Sequence, residues 1–267
     1  APPRWPVNVQ TKKIGGIRLR KNIIPHQDPS PRKRRSAGSF EMLSFGGRAA
    51  TSVTLPQAAR FVPKLEGSGK LVLFDVMDTL IADPFFRGFE KDVFGLDGGI
   101  KSLFAIKDPT SFIDFESGAL TELQHFETYF TDRRPVDGAR VLAYLRQKYH
   151  WLPGMKELAT ELRAAGVQMA AFSNYPAPWA PLVEESVQLS ELVPWAFVSG
   201  EAGVRKPSPE AFHAACAAVG RDLSGVVFVD DSSTNIEAAR SLGIASIKFE
   251  SASALRPVLL ELLGLPK

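Results

Sequence analysis

One pattern constrains this chain more than any other: a short unbroken apolar run that stops at polar residues, then a helical stretch, then another such run. The first is "KLVLFD", Lys70 to Asp75. An apolar run with no polar alternation reads as a strand covered on both faces. It recurs in "VQMAAFSN", "WAFVS", "GVVFVDD" and "IASIKF". Helical patterns separate the runs. "PGMKELATELRAAG" has Pro153 near its start and Gly166 past its end, and "SPEAFHAACAAVG" and "TNIEAARSLG" follow further on. Strands alternating with helices predict an α/β fold with a doubly wound, Rossmann-like parallel sheet and right-handed crossovers.

Two segments do not belong to that alternation. Pro84 to Trp151 is helical, with apolar residues at three and four spacings such as Val141, Leu142, Leu145 and Tyr149. It is too long for a connection between neighbouring strands and reads as an inserted helical cap. The other is the N-terminal stretch. Residues 1–64 hold 13 Lys or Arg against Asp28 and Glu41, a net +11, while the remaining 19 basic and 27 acidic residues give −8. The expected organisation is a basic Pro/Arg-rich N-terminal extension over 1–66, a core over 67–83 and 152–267, and the cap over 84–151.

The extension carries "SPRKRRS", Ser30 to Ser36, and too little apolar surface to order itself alone. Three readings stay open for it. It is a solvated tail, or an organellar transit-type segment poor in acids and rich in Arg and Ser, the chain lacking an initiator Met and reading as processed. Or it is an arm docking on a polyanion such as RNA within a large organellar complex, although it lacks aromatics interleaved for base stacking.

The rest of the composition excludes other classes. No run approaches the 18 or more apolar residues of a membrane span. The lone Cys216 rules out an intrachain disulfide framework and reads as a buried structural thiol. His26, His125, His150 and His213 are scattered without zinc-ligand pairing and read as solvated or core residues.

In open α/β sheets, ligands bind beyond the carboxyl ends of the strands. Those ends deliver Asp75 and Thr79, then Ser173 and Asn174, then Asp230 and Asp231, with Lys206 of "RKP" just before a helix. In this order the motifs "DVMDT", "FSN", "RKP" and "VDDSSTN" resemble those of the haloacid dehalogenase superfamily, mostly phosphatases, over about Gly69 to Leu263.

The resemblance implies an aspartyl-phosphate route with Asp75 as nucleophile. It implies Mg²⁺ held by Asp75, Asp231 and the Met77 carbonyl. Asp230, the other member of the acidic pair, is expected to support or cap more than to ligate, and Asn235 to orient that loop. Lys206 would neutralise phosphoryl oxygens and orient Asp75, while Thr79, Ser173 and Asn174 would bind the phosphate.

Met77 is the departure of consequence. The superfamily's phosphatases hold there a second Asp that protonates the leaving alkoxide and later deprotonates water, and a thioether does neither. Loss of general acid–base help costs about 10² to 10⁴ in rate. Three explanations compete: Asp78, where most of the family has Gly, substitutes, or substrate and water move the protons; the chain runs another reaction; or catalysis is gone.

Within the superfamily, "LVLFDVMDTLIADPFF", "WLPGMKEL" and "AFSNYPAPW" are similar to the flavin mononucleotide (FMN) hydrolases of plant chloroplasts, which share Met-Asp-Thr in the first motif. That resemblance implies FMN hydrolysis to riboflavin and phosphate, and a plastid home, with the mitochondrion as alternative. Tyr175 and Trp179, next to the expected phosphate, are candidates for stacking on an isoalloxazine ring. Phe85, Phe86, Phe104, Phe112, Phe115 and Tyr129 read mainly as cap core. The rival reading is a catalytically weak or inactive subunit docked by its basic arm into a ribosome or transcription complex.

Overall fold

The structure, a computed structural model, describes residues 69–266. Every expectation for the basic extension lies outside the described residues.

Five strands form one sheet: β1 (Leu71–Phe74), β2 (Gln168–Ser173), β3 (Trp195–Val198), β4 (Val226–Asp230) and β5 (Ala245–Lys248). They lie in the order β3-β2-β1-β4-β5, and every adjacent pair is parallel. The alternation of pattern in the sequence therefore gives the α/β fold it implies. Side chains along a strand point to opposite faces in turn, and both faces are covered. Leu71, Leu73, Ala170, Phe172 and Phe228 pack with Phe212 of α9 (Pro209–Ala218) and Ile236 of α10 (Ser233–Ser241). Val72, Phe74, Ala171, Val227 and Val229 join a second cluster with Leu158 and Leu162 of α6 (Met155–Ala164) and Leu259 of α11 (Ala252–Leu263). This is why the runs show no polar alternation. β5, at the sheet edge, is only partly covered and ends in the exposed Lys248.

Between β1 and β2 come a 3-10 turn, Pro84–Phe86, and the helices α1 (Phe89–Phe94), α2 (Ile100–Phe104), α3 (Ser111–Glu116), α4 (Glu122–Thr128) and α5 (Gly138–Lys148). Capping fixes their starts. Asp83 accepts from the Phe85 N–H, Asp137 from Arg140, and Thr121 with Gln124 forms a reciprocal capping box. Phe85, Phe112, Phe115, His125 and Phe126 surround Trp179, which enters from the segment after β2. His125 is fully buried and stacked on Phe115 at 4.7 Å, so it is a core histidine. His150 and His213 are exposed, and Cys216 is buried as expected. No described helix is long and apolar enough to cross a membrane.

Three helices escaped sequence reasoning, among them the single-turn α8 (Ser199–Ala202). α7 (Ala180–Val187) begins with Pro181 in its first turn, and α11 carries Pro257 in its interior, where proline ordinarily breaks a helix.

The helical insert meets the sheet domain at a very close backbone approach. Gly118, at φ +76°, faces Gly200 of α8 (Ser199–Ala202), and a Cβ there would lie 2.5 Å from the Gly200 carbonyl oxygen. Ser199 Oγ donates to the Glu116 carbonyl beside it. Gly118→Ala therefore adds a steric conflict to a left-handed backbone. The expected loss is about 1–3 kcal/mol from overpacking, read as a lowered denaturation midpoint with unchanged slope.

Candidate active site

The order of the strands assembles the site. β1 lies between β2 and β4, and the chain reverses its direction of sheet growth between β1 and β4, which is where open α/β sheets form a ligand crevice. Asp75 leaves β1 at that point, its N–H donating to the Val229 carbonyl of β4 at 2.8 Å. Asp230 ends β4 and Asp231 follows it. Ser173 ends β2 on the other side.

Lys206 joins these strands. Its Nζ donates to Asp75 Oδ1 at 2.7 Å, Asp230 Oδ2 at 2.7 Å and the Phe172 carbonyl at 2.8 Å, so all three ammonium protons are used. The ammonium also stands 4.9 Å from the Phe172 ring centre and 5.3 Å from that of Phe228. Lys206 is 1% exposed. Burial opposes its charge, and the two carboxylates more than offset that, holding it above the ordinary lysine range.

Two asparagines hold this centre in place. Asn174, expected at the phosphate, turns its side chain to the Lys206 backbone: its Nδ2 donates to the Lys206 carbonyl and its Oδ1 accepts from the Lys206 N–H, both at 2.8 Å. The pairing fixes the Lys206 loop and uses one of the two Nδ2 protons. Asp230 is likewise spent as a support, accepting from Lys206, the Ser232 N–H and Asn235 Nδ2. Asn235 orients that loop as expected, and direct ligation by Asp230 competes with all of these bonds.

The acidic cluster suits a hard divalent cation. Ligand oxygens of Asp75, Asp230 and Asp231 lie within 4.8 Å of one another. Three carboxylates against one ammonium leave an excess of −2. That excess registers in the acids: burial and the neighbouring carboxylates push Asp231 up to about 8, and burial raises Asp75 to about 7 despite Lys206. An oxygen-only donor set with a −2 excess fits Mg²⁺. The Met77 carbonyl accepts no hydrogen bond among the described residues, which leaves it available as a further donor.

Thr79 Oγ1 and Ser173 Oγ are buried and have no hydrogen-bond partner. Buried hydroxyls are normally satisfied. Two orphans flanking one lysine–carboxylate pair fit an oxyanion.

The loop 75–83 departs from the expectations in detail. Met77 packs its thioether against the core cluster. Asp78 adopts a left-handed backbone, φ +53°, and its Oδ1 accepts both Arg87 Nη2 at 2.9 Å and the Asp83 N–H at 3.0 Å. Tyr175 and Trp179 are 3% and 0% exposed. Tyr175 shares a hydrogen bond with Tyr149, and Trp179 donates to Glu122 at 2.9 Å within its ring cluster. Neither offers a face for stacking; aromatic type and proximity suggested that role, but both rings are claimed by packing.

Sequence reasoning missed two acids. Glu116 of α3, only 6% exposed, pairs with Arg205 at 2.7 Å, next to the Lys206 loop. Asp83, the last residue before the expected cap, was given no role, and its N-cap hydrogen bond to the Phe85 N–H is the signal that "ADPFF" carries.

Comparison with known proteins agrees with this geometry. The family of haloacid dehalogenase-like hydrolases matches residues 70–243. Flavin mononucleotide hydrolase 1, chloroplastic, of Arabidopsis thaliana is 35% identical over 185 residues, 69% of this chain and 74% of that protein. A phosphoglycolate phosphatase of Pseudomonas savastanoi is 31% identical over 96 residues, covering 36% of this chain and 35% of its own. A haloacid dehalogenase family enzyme of Bacteroides thetaiotaomicron superposes with TM-score 0.57 at 19% identity, over 71% of this chain and 98% of that one. With the strand order, the lysine clamp and these matches together, the chain belongs to the haloacid dehalogenase-like hydrolases.

Proposed function

We propose that this protein is a Mg²⁺-dependent phosphatase acting on a small phosphomonoester, FMN above others, which it hydrolyses to riboflavin and phosphate. One observation carries the phosphatase reading: two buried, unpartnered hydroxyls, Thr79 and Ser173, beside a carboxylate held by a buried lysine. FMN is favoured by the plant hydrolase that the chain matches over 74% of that relative's length. The same relative's chloroplast label supports a plastid location.

Asp75 is the nucleophile in this reading. Lys206 fixes its carboxylate and keeps one oxygen aimed at phosphorus, and the Thr79 and Ser173 hydroxyls donate to phosphoryl oxygens. Asp75, Asp231 and the Met77 carbonyl would hold Mg²⁺, which when bound neutralises charge on the phosphoryl group. A solved Bacteroides thetaiotaomicron relative with the same fold is in complex with magnesium and inorganic phosphate. Residues 84–151 serve as the cap over a core of 67–83 and 152–267. The docked-subunit alternative draws on residues 1–64 alone, and nothing in residues 69–266 favours it.

Three substitutions separate chemistry from folding. Asp75→Asn should reduce phosphate release from FMN and from p-nitrophenyl phosphate to the buffer level, as should chelation of Mg²⁺, with re-addition restoring it; turnover that persists in Asp75→Asn removes the nucleophile assignment. Ser173→Ala should lower kcat by about 10²–10³, the cost of one donor to a developing oxyanion, while leaving the denaturation midpoint almost unchanged because the hydroxyl has no protein partner. Lys206→Met should behave oppositely. It leaves Asp75 and Asp230 as uncompensated buried charges and should cost about 3–5 kcal/mol of stability as well as all turnover, measured by denaturant titration.

A further inference from the structure

One residue of the helical insert holds both of the loops that complete the site. Glu116 ends α3 and is 6% exposed. Its side chain pairs with Arg205 Nη2 at 2.7 Å, and Arg205 is the residue before Lys206. Its main-chain carbonyl accepts from Ser199 Oγ, the same oxygen that accepts the Tyr175 N–H at 2.9 Å. Tyr175 follows Ser173 and Asn174 directly, and Asn174 brackets the Lys206 backbone.

These contacts close a ring. It runs from Ser173 through Asn174 and Tyr175 to Ser199, crosses to Glu116, and returns by Arg205 to Lys206 and the Asn174 amide. The two links that cross to the insert both end on Glu116. Little slack surrounds them. A Cβ on Gly200, which faces Gly118, would lie 2.5 Å from the Ala177 nitrogen and 3.0 Å from the Tyr175 carbonyl oxygen.

The chemistry of Glu116 is not that of a packing residue. Burial raises its carboxyl, and the charges of Arg205, Lys107 and Lys206 oppose that. An apolar side chain would fill the space without the cost of burying a charge. A carboxylate adds a directed hold on one guanidinium. Among the described residues the only ion pair of Arg205 is with Glu116, and its buried Nε makes no hydrogen bond.

We propose that Glu116 is a positioning residue of this enzyme: gripping Arg205 with its side chain and Ser199 with its carbonyl, it sets the Lys206 and Ser173 loops against each other. The inference rests on the phosphatase reading, in which Lys206 orients Asp75 and the Ser173 hydroxyl donates to a phosphoryl oxygen. Lys206 has no spare proton with which to absorb a shift of its backbone. Its Nζ is tied to Asp75, Asp230 and the Phe172 carbonyl, so a displaced loop displaces the Asp75 carboxylate with it.

The test uses the full chain with Mg²⁺, FMN and p-nitrophenyl phosphate. Glu116→Ala removes the side-chain hold, and Glu116→Leu, which fills the space without an acceptor, serves if the alanine variant unfolds. Either should lower kcat by about 10–10², by the same factor on both substrates and with KM almost unchanged. Arg205→Ala should show the same loss, and the double variant no more than the larger single one, because the two act as one link. Hydrogen exchange reads the hold without turnover: the Tyr175 and Lys206 amides should exchange faster in Glu116→Ala, with the β1 amides unchanged. A lowered denaturation midpoint with unchanged kcat, a loss confined to KM for FMN, additive losses in the double variant, or unaltered exchange at Tyr175 and Lys206 overturns the proposal. Turnover that survives Asp75→Asn, or none of either substrate, means that the phosphatase reading itself has failed, and the exchange readout alone then decides whether Glu116 holds the loops.

Discussion

A single buried ammonium organises this protein. Lys206 lies between Asp75 and Asp230, and without it two carboxylates at the ends of adjacent strands would repel each other in a site that water barely reaches. Isolated buried charges cost several kcal/mol each, and a pair survives only when its remaining donors and acceptors are satisfied. Here they are satisfied to an unusual degree. The third ammonium proton goes to the Phe172 carbonyl, Asp230 is saturated by Ser232 and Asn235, and the Lys206 backbone is bracketed by the Asn174 amide. The four strand-end elements are thus parts of one hydrogen-bonded network. Beside this network, Asp231 brings a carboxylate oxygen within 4.8 Å of those of Asp75 and Asp230.

The same network reaches into the helical insert. Arg205, the neighbour of Lys206, pairs with Glu116, and Glu116 is linked through its carbonyl to Ser199. Trp179 is fully buried in the ring cluster, where Phe85 and Phe112, both partly buried, pack against it.

How much of this could be read beforehand follows from the range of each interaction. β1 and β4 were legible because covering both faces of a strand leaves an unbroken apolar run, and the motif residues were legible because strand ends fall at the ends of such runs. β5 belongs to the same pattern but sits at the edge, where the run overstates its burial. Roles set by distant partners were not legible. Asn174 fixes a backbone 32 residues away, and Glu116 of the helical insert meets Arg205 of the sheet domain. Nothing local marks either. Tyr175 and Trp179 failed as stacking candidates for the same reason, since the rings that cover them come from another part of the chain.

The loop from Asp75 to Asp83 shows how one substitution reshapes its neighbours. With an acid at position 77 the loop would carry an ionisable group next to the nucleophile, and a glycine at 78 would meet its left-handed backbone without a side chain. This chain has the thioether at 77 packed into the core and an aspartate at 78, one of the few residue types that tolerates positive φ. That aspartate receives Arg87, which in turn moderates the repulsion between Asp78 and Asp83. Asp83 adjoins that pair through its own N–H, which donates to Asp78 Oδ1, while its carboxylate accepts from the Phe85 N–H, so one aspartate ties the loop to both the arginine and the start of the helical insert.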